Sequence, residues 1–335
     1  MAALDIWTPP TDPKVLDLTA DAYLNPEVRD NINVAEKVIV ADDSSQFLHL
    51  HLAGTLAQRP PAGNVGREYY VTDLGACFFD NGKDWRYLWH NPKLCDRYYY
   101  EFELDRRGEL IDPADNQTLP VSHGWQAEVS KKSGTDSRIR TDSREGINLR
   151  TANKKGATVK LSPVGESLTT FEHGSDNPTG PTPMIWETRV KGHDNADADI
   201  HFGIMDLQNE SRPPAPPWAM IWRVQDGGLY SCYSSDGSDS GPSQETETDV
   251  SAEGVAGGGI DTPFKTFRID WLTAPSGTNG DGLVKFYADG VLKATHVRVP
   301  TLNDLMMAFL IRTNANANKD MTVMYVHSLQ RRTTF

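Results

Sequence analysis

The sequence predicts an all-β chain in which an antiparallel β-sandwich is the largest part. From Arg97 onward, about twelve short segments alternate apolar and polar residues and are separated by clusters of Gly, Asp, Asn and Pro. No convincing helix lies between these segments. Strands in such number, joined by turns, are typical of two packed antiparallel sheets.

The alternation predicts which side chains face the core. In FRIDW, Phe267, Ile269 and Trp271 share one strand face, and Arg268 and Asp270 share the other. The same period of two occurs in MIWETRV. One face of each strand is therefore predicted to be buried and the other to be wet.

Residues 1–45 are predicted to form an extended arm followed by a short helix. Prolines near the start favour extended backbone for the residues before them. Beyond a possible N-cap, Leu24, Val28 and Ile32 recur at helical spacing and form one apolar stripe. Two alternatives stay open for this stripe, namely packing within its own domain or a coiled-coil-like contact between copies.

Residues 46–92 are predicted to form a small β unit, and residues 93–335 the sandwich. In GREYYVTDLGACFFDNGKDW, three short strands are separated by two turns that end in glycine. A meander of this size is too small to bury its own core, so its aromatic rings are predicted to pack against other copies around an axis. The predicted interface residues of this region and the helix are Leu24, Val28, Ile32, Tyr69, Tyr70, Phe78, Phe79 and Trp85.

Composition narrows the classes of function. The 335 residues carry a net charge of −13 without a compensating basic cluster, which argues against nucleic-acid binding. No apolar run approaches the roughly twenty residues that cross a bilayer, and the start lacks a basic leader and an apolar signal core. We therefore expect no membrane insertion. The three cysteines lack paired spacing, so we expect folding in a reducing compartment.

The C-terminal part resembles a known fold family. The segment FKTFRIDWLTAPSGTNGDGLVKFYADGVLKATHV is similar to the strand, loop and hairpin near the end of concanavalin A-like jelly rolls of the laminin-G and legume-lectin types. This resemblance implies a jelly-roll sandwich that binds glycans or proteins. Some members of the group cleave glycans.

The N-terminal part resembles the starts of tailed-bacteriophage virion proteins. The segments WTPPTDPKVLDLTADAYLNPEVRDNINVAE and RPPAGNVGREYYVTDLGACFFDNGKDWR are similar to modules of phage fibre, tail and head-decoration proteins. The resemblance implies a homotrimeric virion component that is assembled in the host cytoplasm, attaches to other virion proteins and displays the sandwich to a host glycan or protein. A purely stabilising capsid decoration and a glycan depolymerase are the alternatives.

A glycan site needs aromatic platforms beside polar groups, because sugars have apolar faces ringed by hydroxyls. The stretch PPWAMIWRVQDGGLYSCYSS combines both kinds of residue. Tyr233 and Asp226 are predicted to face solvent, whereas Trp218 shares a face with other apolar residues and is compatible with a core position. The candidate glycan-binding residues are Trp218, Arg223, Asp226, Tyr230 and Tyr233.

No catalytic residues are predicted, because the sequence lacks the carboxylate triple of laminarinase-like jelly rolls. Alginate-lyase-like patterns are present only as fragments. If the chain were a hydrolase or lyase, His201, Glu187 and Tyr287 would be the first residues to test.

No cofactor is required by this interpretation, and metal sites are speculative. His49 and His51 point to one side of a predicted strand, so a threefold axis would gather six imidazoles. Acidic loops at His193–Asp199 and Ser234–Gly241 have the oxygen ligands that calcium prefers. Exposed strand histidines and acidic loops that are merely solvated are the alternatives, and they are the more usual explanation of such features.

Overall fold

A computed structural model provides the fold and describes most of the chain beyond residue 49. The described residues are 50–102, 109–122, 124–142, 145–164, 183–193, 197–205, 218–225, 229–236, 245–250, 264–272, 281–298 and 305–331. Two compact units divide the chain, Met1–His90 and Asn91–Phe335.

The first unit contains a four-stranded sheet in its described part. Its strands are β1 (Leu50–Gly54), β2 (Arg67–Val71), β3 (Ala76–Asp80) and β4 (Trp85–His90), in that spatial order. β1 pairs parallel to β2, and the other pairs are antiparallel. The three predicted strands of the meander are thereby confirmed, and Gly75 and Gly82 have the positive φ values, 74° and 88°, that their turns require.

The aromatic rings on one face of this sheet are buried within the chain. Tyr69, Phe78 and Trp85 are each 3% exposed. The connection between β1 and β2 covers them, since the Trp85 indole donates to the Pro60 carbonyl at 2.8 Å and the Arg59 guanidinium lies 5.0 Å from the Phe78 ring centroid. The expectation that the unit could not bury these rings without other copies is wrong, because the connection that precedes the meander packs over them.

The opposite face of the sheet is more open. Tyr70 and Phe79 are half-buried, and Tyr70 stacks on Trp89 with ring centroids 5.6 Å apart. Trp89 is 51% exposed. Leu24, Val28 and Ile32 lie outside the described residues, so the predicted helix stays a prediction, as does the trimer.

The second unit is a sandwich of two antiparallel sheets. The first sheet consists of β5 (Cys95–Glu101), β6 (Glu109–Ile111), β9 (Arg138–Asp142), β10 (Gly146–Arg150), β12 (Met184–His193), β17 (Lys265–Leu272), β18 (Asp281–Ala288), β19 (Val291–Arg298) and β21 (Asp320–Arg331). The second sheet consists of β7 (Gln117–Ser122), β8 (Trp125–Ser130), β11 (Thr158–Pro163), β13 (Ala198–Met205), β14 (Trp218–Gln225), β15 (Leu229–Asp236), β16 (Glu245–Asp249) and β20 (Met306–Thr313).

The order of strands shows that the two sheets exchange strands repeatedly along the sequence. The first sheet runs β19-β18-β17-β12-β21-β10-β9-β6, with β5 also paired to β21. The second runs β16-β15-β14-β13-β20-β11-β8-β7. Every strand segment predicted from Arg97 onward forms a strand, and the all-β fold class with its large antiparallel sandwich is confirmed.

Four strands were missed by the sequence patterns. β16 has the sequence ETETD and no apolar residue, and β7 contains Pro120. β16, β7 and the three-residue β6 are the last described strands of their sheets. Charged residues and proline are tolerated there, because one edge of each strand has no neighbour among the described strands. β9 is also short and polar.

The core lies between the inner faces of the two sheets. Trp222 of the second sheet has its ring centroid 4.9 Å from that of Phe267 and 5.8 Å from that of Phe286, both in the first sheet. Phe202 also contacts Phe267, at 4.9 Å. Edge-to-face contacts of this kind contribute about 0.5–1.5 kcal/mol each beyond burial, so this aromatic group fixes how the layers pack.

The outer face of β17 differs from its prediction. Phe267, Ile269 and Trp271 are buried in the core as expected, but Arg268 and Asp270 are only 4% and 2% exposed. The predicted wet face is therefore wrong for this strand. β17 lies between β12 and β18, and outer side chains of its neighbours such as Tyr287, whose ring centroid is 4.2 Å from the Arg268 guanidinium, cover it.

Candidate functional site

A row of polar side chains crosses the outer face of the second sheet. Because inward and outward residues alternate, Ile200 and Phe202 enter the core while His201 points outward. His201 of β13 is directly opposite Arg223 of β14, which is directly opposite Ser231 of β15. Together with Glu247 of β16 and Arg312 of β20, these residues are called the polar row below: His201, Arg223, Ser231, Glu247 and Arg312.

His201 is the most unusual member of the polar row. Its side chain is 5% exposed, yet neither Nδ1 nor Nε2 has a hydrogen-bond partner in the described part of the chain. Burial, with smaller effects of the Arg223 and Arg312 charges, lowers the pKa of His201 to about 3. The ring is therefore neutral above pH 5 and has one free N–H donor and one free acceptor nitrogen.

Arg223, Ser231 and Glu247 form a connected network beside the imidazole. Arg223 Nη1 donates to both carboxylate oxygens of Glu247, at 3.2 and 3.3 Å, and Ser231 Oγ donates to Oε1 at 2.6 Å. The Arg223 side chain is 2% exposed, whereas that of Glu247 is 40% exposed. The network thus leads from buried sheet surface to solvent.

Arg312 approaches His201 from the other side. It is directly opposite Asp199 in the pairing of β13 with β20, two positions from the pair formed by His201 and Leu310. Its Nε is buried and has no hydrogen-bond partner among the residues that the structure describes. Two neighbouring side chains of one face therefore have unused hydrogen-bonding groups.

An apolar group continues the face beyond the polar row. It consists of Met205, Ala219, Ile221, Tyr233 and Ala308. Gly203 lies among these residues at φ 148°, and a Cβ at that position would be 2.5 Å from the Met220 carbonyl oxygen, so close approach of β14 requires glycine. Tyr233 joins both parts of the face, because the Arg223 guanidinium lies 5.9 Å from its ring centroid.

The predicted glycan-binding residues separate onto two faces. Arg223 and Tyr233 lie on this outer face, but Tyr233 is 2% exposed, so the prediction that it faces solvent is wrong. Its strand is a central one, flanked by β14 and β16. Tyr230 points into the core and stacks on Phe267 at 5.9 Å, which removes it from the outer face. Asp226 and the side chain of Trp218 lie outside the described residues.

The three residues to be tested first for catalysis do not share a face. Glu187 and Tyr287 lie on the outer face of the first sheet, where both are paired in register with Arg268. His201 lies on the outer face of the second sheet. Sandwich layers are about 10 Å apart and outer side chains point away from each other, so His201 cannot act together with the other two.

The predicted metal sites remain predictions. His49 lies outside the described residues, and His51 belongs to β1 with a side chain that is not described. Residues 194–196 and 237–244, within or next to the two acidic loops, also lie outside. The described residues contain no group of three or more His, Cys, Asp or Glu that could hold a metal ion, and none of their helices is long and apolar enough to cross a membrane.

Sequence reasoning missed Ser231, Glu247 and Arg312 as members of one site. Ser231 and Glu247 meet only through the antiparallel pairing of β15 with β16, and Arg312 meets His201 through a strand that is more than 100 residues away in the sequence. Alternation within ETETD would have placed Glu247 on the opposite strand face from Thr246 and Thr248. No pattern identified ETETD as a strand, however.

Comparisons with known proteins identify similar solved structures and no family. No family model matches the chain, and no curated protein matches it significantly. The endo-1,3-β-glucanase (laminarinase) catalytic domain from Thermotoga petrophila is 12% identical, with a TM-score of 0.41 over 70% of this chain and 97% of that one. The β-glucanase of Bacillus licheniformis is 12% identical, with a TM-score of 0.40 over 69% and 97%.

A carbohydrate recognition domain is similar to the same extent. The carbohydrate recognition domain of Emp47p is 12% identical, with a TM-score of 0.39 over 68% of this chain and 98% of that one. The chain is similar in sandwich architecture to both glucanases and to this carbohydrate recognition domain. Such distant likeness decides neither activity nor ligand.

Proposed function

We propose that this concanavalin A-like sandwich is a non-catalytic saccharide-binding module and that the polar row is its binding site. The observation that carries the proposal is the buried His201 imidazole, whose two nitrogens have no partner among the described residues. Buried polar groups are normally hydrogen-bonded, so an exception on an outer sheet face calls for a partner supplied from outside.

The chemistry of the face suits a sugar. A neutral imidazole donates one hydrogen bond and accepts another, and vicinal hydroxyls of a sugar ring can do both in return. Ser231, Glu247 and Arg223 form an oriented polar network next to it.

The open end of the face indicates where a ligand would approach. Glu247 and Asp249 are exposed at the β16 edge, and Asp199 and Arg312 are half-buried on the other side. A saccharide chain entering from either side would contact charged side chains before it reaches His201. The separation of His201 from Glu187 and Tyr287 supports binding without catalysis.

A glycan array probed with the full-length chain tests the proposal. We expect a restricted set of glycans to bind, and His201→Gln to reduce that signal at least tenfold, because it removes the imidazole. His90→Gln, in the first unit, is the matched control. An array without binding, or binding that is equal in the His201→Gln protein, would overturn the assignment.

The depolymerase alternative has its own measurement. Incubation of the bound polysaccharide with the full chain would release reducing ends or unsaturated products if the chain cleaved it. We expect neither product to accumulate. Release that His201→Gln abolishes would replace the binding proposal by a catalytic one.

We also propose that the chain is a virion component that displays this module, a role that rests on the N-terminal sequence resemblance alone. Antibodies against the full chain should label purified phage particles. Labelled particles together with a blank glycan array would favour the stabilising decoration, whereas particles without the chain would remove the virion role.

A further inference from the structure

The free hydrogen-bonding groups of the polar row specify more than a generic sugar. His201 contributes one N–H and one acceptor nitrogen, and Arg312 contributes the N–H of its Nε. The two residues are diagonal neighbours on adjacent antiparallel strands, a relationship with about 7–8 Å between the positions and within reach of long side chains. The unmet demand is therefore for two acceptors and one donor in one place.

Charges on this face are distributed unequally. Arg223 is neutralised by Glu247, which it contacts through Nη1. Arg312 makes no ion pair with any described residue, although Asp199 is opposite it in the strand pairing. The other charged groups on this face near the imidazole are Asp199, Glu247, Arg223, Arg312 and Lys160, which is opposite Leu310 and forms an ion pair with Glu128. Arg223 has Glu247 as its counter-ion, whereas Arg312 has none among the described residues.

We propose that the saccharide recognised by the polar row is acidic, with a uronic acid residue placed between His201 and Arg312. The carboxylate accepts from Arg312 Nε–H and from the imidazole N–H, and a ring hydroxyl donates to the other imidazole nitrogen. This assignment rests on the proposed saccharide binding at the same site. A neutral sugar would satisfy the imidazole but leave the guanidinium without an anion.

The choice of an anion follows from the nature of Arg312. A guanidinium pairs with a planar carboxylate through directed, charge-assisted hydrogen bonds, which are about twice as strong as neutral ones. The low pKa of His201 keeps its acceptor nitrogen available near neutral pH, which favours a ligand that carries a hydroxyl next to its acid group. A sulfate ester would offer acceptors too, so the test includes it.

Isothermal titration of the full-length chain measures the preference directly. The probes are oligogalacturonate, oligomannuronate, the carboxyl-reduced form of each and a sulfated neutral oligosaccharide of equal length. We expect at least one uronate oligomer to bind tenfold or more tightly than its carboxyl-reduced form and than the sulfated probe. This preference should shrink as salt is raised, because it depends on charge.

Variants separate the two residues. Arg312→Gln should weaken uronate binding tenfold or more and neutral binding by less than threefold, whereas His201→Gln should weaken both. Arg86→Gln, an exposed arginine of the first unit, is the matched control. Arg312→Lys keeps the charge without the directed fork and should give an intermediate loss, which preserves the test if Arg312→Gln fails to fold.

The outcomes distinguish this inference from the function on which it rests. Equal affinity for uronate and carboxyl-reduced probes overturns the acidic specificity and leaves saccharide binding intact. Tighter binding of the sulfated probe overturns the uronate in favour of a sulfated sugar. Failure of every probe on both the titration and the glycan array overturns saccharide binding itself.

Discussion

Arg67 and Asp80 form a charged pair at the inner face of the small sheet, where Nη2 and Nε of the arginine donate to the same oxygen, Oδ2, at 2.5 and 3.1 Å. The Asp80 side chain is fully buried and also accepts from the backbone N–H groups of Gly63, Asn64 and Gly82. One carboxylate thus joins β2, β3 and the loop that covers the buried aromatic rings.

Removing this carboxylate should unfold the small unit first. We expect Asp80→Ala to destabilise it by about 3 kcal/mol, because the partly buried Arg67 guanidinium loses its counter-ion and three backbone donors lose their acceptor together. Urea denaturation followed by limited trypsin digestion measures the effect. Lys83→Ala, an exposed change in the next turn, should be neutral, and equal behaviour of the two variants would contradict the role of Asp80.

The same pair predicts a response to acid. Burial raises the pKa of Asp80, but the hydrogen bond from Arg67 and those from the backbone outweigh it and hold the pKa below its ordinary value. A lowered folded-state pKa means that the pair stabilises the unit above the unfolded pKa, near 3.9, and that this stabilisation is lost as pH falls through the folded value. The loss therefore lies below about pH 4.

His296 predicts a second acid response, in the sandwich and at higher pH. It connects the sheets, with Nδ1 2.9 Å from Ser234 Oγ and Nε2 3.0 Å from Thr248 Oγ1. Burial lowers its pKa to about 4, so the folded state binds fewer protons than the unfolded state between pH 6.5 and 4. Stability from this residue is complete above pH 6.5 and declines below it by up to about 1.4 kcal/mol per pH unit.

Urea denaturation at pH 7, 6, 5 and 4.5 would measure this decline. We expect His296→Gln to flatten the slope relative to the unmodified chain, because glutamine keeps hydrogen-bonding groups but does not titrate. Burial of His201 gives a pH dependence of stability of the same sign, so part of the slope remains in the His296→Gln protein. His90→Gln should leave the sandwich slope unchanged, and a His296→Gln slope equal to that of the unmodified chain would refute the prediction.

The effects of substituting Arg268 and Asp270 on stability are predicted to depend strongly on each other. Arg268 Nε lies 3.1 Å from Asp270 Oδ1, and both side chains are at most 5% exposed. Arg268→Leu alone should cost about 3–5 kcal/mol of unfolding free energy, since it leaves Asp270 buried without its cation. The double change to leucine should cost less than either single change, and additive losses in a double-mutant cycle would argue against this coupling.

The sequence was informative wherever one strand carried the signal. Alternation identified β8, β14 and most central strands, and glycine marked the turns of the small sheet. The candidate site depends instead on register between strands distant in sequence, as in the approach of Arg312 to His201. Burial of Arg268 likewise depends on a flanking strand, because the Tyr287 ring of β18 lies over its guanidinium, and periodicity within one strand does not reveal this.

The open face of the small sheet predicts where copies of the proposed trimer would meet. Tyr69, Phe78 and Trp85 are buried in the chain, so the interface candidates that remain accessible among the described residues are Tyr70 and Phe79. Trp89 is 51% exposed and stacks on Tyr70. Large exposed aromatic groups of this kind are common in interfaces because they bury much apolar area.

Light scattering during size exclusion should therefore give a trimer for the full chain and a smaller species for Trp89→Ala. Val65→Ala, at a residue 55% exposed in the covering loop, is the control and should stay trimeric. A full chain that is monomeric at every concentration would remove the trimer, and a trimer that persists in Trp89→Ala would move its interface away from this face.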